Sequence, residues 1–307
     1  MNLSFEKGTP CAQIVGGKYN GQIIYTDLAK EDKNDTKNDP ILLLGEEFFS
    51  QQKVNNKKLK LDDLVELSNA LRSRVTPKNP KLISIYADAI KIFDDKKKTE
   101  FKLDVGQMKP VPNPDGRQCL YIAGPSGAGK STYTSMYCSQ WKKMFPDRSI
   151  YLFSAVNEDK ALDVLEPSRI AIDATLNESK LQPENFRDSL VIFDDIDVIP
   201  DKKLRDEVFR IQDQLLQTGR HTNTYVVSTS HQLVNYNKTK ILLGEAHQIT
   251  VFPNGSNLTE PFRRFLEKHC GFSKAIIKKI SELKSRWITV NKAYPQYVLF
   301  ETGIFIC

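Results

Sequence analysis

Residues Leu120 to Thr132 read LYIAGPSGAGKST, and this stretch decides the fold. Gly124 is followed by four residues and then by Gly129-Lys130-Ser131, the spacing of a phosphate-binding loop. The apolar run Cys119–Ala123 precedes it and a helical run to Phe145 follows. Each residue type has a mechanical reason. Gly124, Gly127 and Gly129 permit backbone conformations that a Cβ forbids. The segment Gly124, Pro125, Ser126, Gly127, Ala128, Gly129 can therefore curl its N–H groups round phosphate oxygens at the start of the next helix, whose first turn holds Lys130, Ser131 and Thr132. Lys130 then reaches the β- and γ-phosphates, and Ser131 offers its hydroxyl to Mg²⁺. The expected ligand is ATP with Mg²⁺. A glycine-rich turn that binds nothing is the competing reading, and the completeness of the pattern between a strand and a helix argues against it.

Working outward, Ser149–Phe153, Arg169–Ile172, Leu190–Phe193, Val226 with Val227, and Ile249–Phe252 are short apolar strands. Helical patterns or loops separate them, the clearest being Lys202–Thr218 with Leu204, Val208, Ile211, Leu215 and Leu216 apolar. The alternation predicts an α/β fold, a P-loop NTPase three-layer sandwich with a mainly parallel central sheet, its ligand at the carboxyl ends of the strands.

Two of those strand ends carry chemistry. SLVIFDDID places Asp194 at the end of an apolar strand, as the acid that holds Mg²⁺ through water, and Asp195 next to it to activate the attacking water. Acids that merely cap the next loop are the alternative, and Asp197 reads as structural. TGRHTNTYVVSTSHQ ends a strand in Ser228, Thr229 and Ser230, then His231 and Gln232, polar groups at the height of a γ-phosphate or plain turn residues. Arg220, on the loop before that strand, is a finger for a neighbouring subunit's nucleotide or a surface ion pair.

The 307 residues allow one large domain with a smaller attachment, and 40% hydrophobic content supports a sizeable core. No apolar run approaches a membrane span, and MNLSFEKGTP lacks a signal-peptide core, so the expectation is an intracellular protein. Five scattered cysteines without a CxxC pair argue against a disulfide framework or a structural zinc site. Nine Lys or Arg against three Glu fall between Thr259 and Lys292, enough to account for the whole net charge of +6. An anionic partner is expected there.

Residues 1–110 read as a small N-terminal α+β extension without visible chemistry, 111–258 as the core, and 259–307 as basic helices and strands completing it. In the extension, Ala12–Val15 and Gln22–Tyr25 around GGKYNG predict a hairpin, Ala29–Pro40 a polar loop, and Ile41–Leu44 a strand. Leu61–Leu71 and Leu82–Phe93 predict helices, the first burying Leu61, Leu64, Val65, Leu67 and Leu71. The lysines Lys96 to Lys98 read as a solvated face.

In the order GPSGAGKST, LVIFDDID, GRHTNTYVVSTSHQ and QITVFP, the chain resembles the FtsK-HerA superfamily of DNA-pumping P-loop ATPases. Within it, the resemblance is to the genome-packaging ATPases of nucleocytoplasmic large DNA viruses. It covers about residues 118–253, continues less specifically through SRWITVNKAYPQYVLFETGIFIC, and makes Gln232 the superfamily's sensor. It implies ATP hydrolysis coupled to moving double-stranded DNA, a homo-oligomeric ring, capsid proteins as further partners, and a place in the host cytoplasm's viral factory or the virion. Two departures stand out: Asp-Asp where cellular members carry Asp-Glu, and Lys240 where viral relatives carry arginine. A point charge lacks the planar fork, which leaves Arg220 as the stronger finger. Ser273–Lys284, with Ile276, Ile277, Ile280 and Leu283 on one face, offers Lys274, Lys278 and Lys284 to solvent or to phosphate. A nucleotide kinase of the guanylate-kinase-like type and a nucleotide-binding virion scaffold with little turnover are the alternatives. The kinase would need an arginine lid, and only Arg148, Arg169 and Arg187 fall between Met144 and Asp188.

Overall fold

The computed structural model describes residues 1–27, 40–51, 59–73, 75–96, 99–235, 239–253 and 258–307. The expected polar loop lies outside them except for Pro40, as do Lys97 and Lys98 of the lysine run. The chain divides into two compact units, residues 1–4 with 27–101, and residues 5–26 with 102–307.

Among the described residues the smaller unit holds the α-helices Pro40–Gln51, Leu61–Ser73 and Ile83–Lys96. Ile41–Leu44, expected as a strand, is helical. Leu44 and Phe48, one helical turn apart, are both buried, a spacing that the short apolar run alone did not reveal. With Leu67, Leu71, Leu82, Ile85 and Ala89 they form this unit's core. Leu61 and Val65, expected in that core, are 76% and 52% exposed. Asp62 and Asp63 sit in the first turn of their helix, where its dipole favours negative charge.

In the larger unit the hairpin strands Thr9–Val15 and Ile23–Asp27 pair antiparallel as expected, and Gln107–Pro110 pairs on the other side of the first. The main sheet is centred on the P-loop strand, Cys119–Ala123. On one side stands the hydroxyl-tipped strand Tyr225–Ser230, then the acidic strand Leu190–Asp194, then Ile150–Ser154 and Ser168–Arg169, all parallel. On the other stands parallel Gln248–Val251, followed by Ile288–Asn291, Tyr297–Phe300 and Gly303–Ile306, each antiparallel to its predecessor. The strand expected at Arg169–Ile172 is only Ser168–Arg169, although Ile170 N–H still bonds Leu152 O at 3.0 Å.

Every residue of the three central strands is buried, which requires cover on both faces. Cys119, Tyr121 and Ala123 join a core cluster with Val208, Ile211 and Leu215 of the helix Lys202–Thr218, whose N-cap Asp201 accepts Leu204 N–H at 3.0 Å. Leu120 and Ile122, equally buried, face the opposite way. On that side the helix Lys130–Met144 lays Trp141 on Tyr225 at 5.8 Å. The outcome is the expected α/β sandwich, helix on sheet on helix, with the carboxyl tips of the central strands at one edge. Among the described residues no helix is long and apolar enough to cross a membrane, and all five cysteines are free.

Candidate functional site

The site begins where the P-loop strand stops. Gly127 and Gly129 adopt φ of 75° and 107°, the left-handed region that an L side chain resists. Gly124 is required for a different reason, since a Cβ there would stand 2.9 Å from Cδ2 of Phe252. That ring floors the loop and meets Tyr133 edge-on at 6.4 Å. Ala128 N–H closes the turn on Pro125 O at 3.2 Å, and Gly124 N–H ties the loop to Ser230 O at 3.1 Å. Pro125, Ser126, Gly127 and Thr132 are exposed, and Ser131 is half-buried at the helix start.

Register brings the three chemical tips level. Ser230 pairs with Ala123, Ser228 with Phe193, and Ser154 with Asp194. The hydroxyl-tipped strand thus lies between the P-loop strand and the acidic strand, in one sheet. Thr229 joins the acids: its Oγ1 lies 2.9 Å from Asp194 Oδ1 and 3.1 Å from Asp195 Oδ1, and accepts Asp195 N–H at 2.9 Å. Ser154 Oγ donates to Asp194 Oδ2 at 3.3 Å. Ser228 instead accepts from Gln212 Nε2 at 3.0 Å, and Ser230 Oγ accepts Gln232 N–H at 3.3 Å.

Lys130 is only 6% exposed. Its Nζ donates to Gly124 O at 3.2 Å and lies 3.4 Å from both Asp195 Oδ2 and His231 Nδ1. His231 Nε2 is 3.3 Å from the same Asp195 oxygen. Asp195 itself sits at φ 45°, a left-handed conformation that turns the chain sharply after the strand.

Asp194 is 5% exposed, and burial above all holds its pKa above the usual carboxylate range, with the charge of Asp195 adding to the effect and the Thr229 hydrogen bond opposing it. The single hydroxyl proton of Thr229 serves only one of the two carboxylates at a time. Lys130 pairs with Asp195 rather than with Asp194. The buried acid therefore has surplus negative charge among hydroxyl oxygens of Ser154 and Thr229, a hard-oxygen set that suits Mg²⁺. Among the described residues no three His, Cys, Asp or Glu gather into an all-protein cage. Mg²⁺ is ordinarily bound by one or two carboxylates with substrate phosphates instead.

Not every residue singled out from the sequence meets here. Gln232 is held by its main chain, Tyr121 Oη donating to Gln232 O at 2.5 Å, while its side chain is exposed. Arg220 precedes the strand whose far end is the site, so the length of Tyr225–Ser230, roughly 17 Å, separates it from its own chain's P-loop. It is exposed and donates to His221 Nε2 at 3.3 Å. Lys240 opens the helix Lys240–Glu245 and is exposed. His231, one of the polar groups expected just beyond the strand tip, contacts both Lys130 and Asp195, partners that the sequence does not indicate. The basic helices are Glu260–Lys268 and Lys274–Ser281, with Arg263, Arg264, Lys268, Lys274 and Lys278 exposed, as is Lys284 beyond the second helix, and with Phe262, Phe265, Leu266, Ile277 and Ile280 buried.

The uncharacterized protein V3 of Sputnik virophage is 41% identical over 212 residues, 68% of this chain and 85% of that protein. No protein-family model matches. Among solved structures, the genome packaging NTPase B204 from Sulfolobus turreted icosahedral virus 2, in complex with ATPγS, is 18% identical, with 62% of this chain and 98% of that one covered at a TM-score of 0.41. The pCW3 conjugation coupling protein TcpA with ATPγS is 13% identical, with 66% of each chain covered at a TM-score of 0.43.

Proposed function

The chain belongs to the family of the Sputnik virophage protein V3, and we propose that it is an ATP-hydrolysing DNA translocase of the FtsK-HerA type that packages viral genomic DNA into a capsid. The observation that carries the reading is the convergence of Lys130, Asp194, Asp195 and Thr229 on three adjacent strand tips beside a complete phosphate-binding loop.

In this reading the loop amides from Gly124 to Gly129 and the Lys130 ammonium hold the triphosphate. Ser131 and Asp194 hold Mg²⁺, which when bound neutralises charge on the β- and γ-phosphates. Asp195 takes a proton from water as the water oxygen bonds the γ-phosphorus and the bond to the β–γ bridging oxygen breaks, leaving ADP and inorganic phosphate. Gln232, beside the strand tip, senses the γ-phosphate. Arg220 points to action between subunits of a ring, because its own site is a strand length away. The exposed cations of the two C-terminal helices meet the DNA backbone, giving affinity without base specificity. The host cytoplasm or the virion is where such an enzyme would work.

Hydrolysis is favoured over phosphate transfer by what the three candidate lid arginines do. Arg148 stacks on Phe145 at 4.1 Å, Arg169 pairs with Asp163 at 2.6 Å, and Arg187 bonds His221 O at 3.4 Å. All three are engaged with residues outside the P-loop. Incubation with ATP, with and without GMP, separates the readings. Release of inorganic phosphate supports the ATPase, transfer to GMP sinks it in favour of a kinase, and binding without turnover sinks it in favour of a scaffold.

A further inference from the structure

We propose that His231 is a positioning residue for Asp195, taking over the acid from Lys130 when a triphosphate occupies the loop; this rests on the ATPase reading. One carboxylate oxygen, Asp195 Oδ2, has two nitrogen neighbours, Lys130 Nζ at 3.4 Å and His231 Nε2 at 3.3 Å. The histidine also touches the lysine, Nδ1 to Nζ at 3.4 Å. An ammonium only donates, so Nδ1 accepts, and the ring proton resides on Nε2, where it donates to Asp195. The three side chains close a triangle with the acid at its apex.

The triangle holds two incompatible tasks for Lys130. Bound to Asp195 it pins the acid; bound to the β- and γ-phosphates it does not. Without a replacement contact the carboxylate would turn toward solvent, since the Asp195 side chain is already 25% exposed and the Thr229 hydroxyl is shared with Asp194. The His231 Nε2–H is the contact that survives the lysine's departure, with the Thr229 hydroxyl, shared with Asp194, 3.1 Å from the other oxygen. The imidazole cannot follow the lysine, because the main chain on either side of it is anchored. Ser230 O receives Gly124 N–H, and Gln232 O receives the Tyr121 hydroxyl.

The test uses the full chain, with His231→Leu and His231→Gln as variants. The side chain is 34% exposed, so neither substitution buries a new void. Affinity for ATPγS should stay within about threefold of wild type in both, while kcat falls tenfold or more in His231→Leu, about 1.4 kcal/mol of transition-state stabilisation. His231→Gln, whose amide N–H reaches the acid as Nε2–H does, should recover most of that loss. Long-range ¹H–¹⁵N spectra of the wild-type imidazole, assigned by loss of the signal in His231→Gln, should show the Nε2–H tautomer without nucleotide. With ATPγS the Nδ1 resonance should move as Lys130 leaves, and Nε2–H should persist. Unchanged kcat in both variants, loss of ATPγS affinity in place of kcat, or an Nδ1–H ring would each overturn the proposal. A wild-type chain that releases no phosphate would instead sink the ATPase reading, and the imidazole spectra would still decide the tautomer.

Discussion

Asp195→Asn should make the chain bind ATP more tightly while nearly stopping turnover. The reasoning starts from the contact of Lys130 Nζ with Asp195 Oδ2 at 3.4 Å, between side chains 7% and 25% exposed. A bare Coulomb energy at that distance is about 5 kcal/mol at an effective dielectric constant of 20. Partial solvent exposure of the acid and the desolvation of both groups leave about 1–2 kcal/mol as the net coupling. ATP must disengage the lysine from that contact before its phosphates can use it. Removing the charge therefore returns the coupling to nucleotide binding as a factor of about 5–30 in affinity, and it also removes repulsion between the acid and the γ-phosphate. Loss of the group that accepts the water proton lowers kcat by about 10²–10⁴. Anisotropy titration with a fluorescent ATPγS derivative measures the first effect, and phosphate release the second. The affinity gap should narrow as salt is raised. Equal or weaker binding by Asp195→Asn at low salt would refute the argument, since it would mean that Lys130 is not held by the acid in solution.

Other consequences follow from the same tip. Thr229→Val keeps the volume but removes the hydroxyl shared by both acids, so it should cost about 1–3 kcal/mol of stability and more than tenfold in turnover, with Thr229→Ser restoring both in melting and phosphate-release assays. Asp194 has a folded-state pKa raised by burial, so its contribution to stability is present below the unfolded carboxylate pKa and is lost as pH rises through the folded value. Asp194→Asn should accordingly raise Tm at neutral pH, by about 2–4 °C for each kcal/mol relieved, with the gain shrinking toward pH 4 and Mg²⁺-dependent turnover abolished. Arg220→Ala should be inactive alone yet regain phosphate release when mixed with Lys130→Ala, because mixed rings contain interfaces that pair an intact P-loop with an intact arginine. No recovery in demonstrably mixed oligomers would count against an inter-subunit finger.

The parts of the site that could be read in the sequence are those written locally. The glycine spacing before Lys130, the apolar run closing on Asp194, and the hydroxyls after Val227 are each a pattern within a dozen residues. The structure sets all three at the carboxyl tips of neighbouring parallel strands. The Lys202–Thr218 helix was legible for the same reason, its apolar period lasting over four turns. What escaped was nonlocal. Strand order depends on pairings between residues a hundred apart, so nothing in the sequence put Thr229 between the two other tips or Phe252 beneath Gly124. His231 had no pattern to announce it, and its meaning comes from Lys130 and Asp195 arriving on either side. Ile41–Leu44 failed for the opposite reason: four apolar residues fit a strand or a helix equally, and the decisive partner, Phe48, lay outside the window.

The central claim is that this chain hydrolyses ATP to move duplex DNA. Phosphate release by wild type and by Lys130→Ala, side by side, with and without long linear duplex DNA, tests it most directly. The account predicts release that depends on Lys130 and rises several-fold with DNA. Release that survives loss of the lysine, or that is indifferent to DNA, would contradict it.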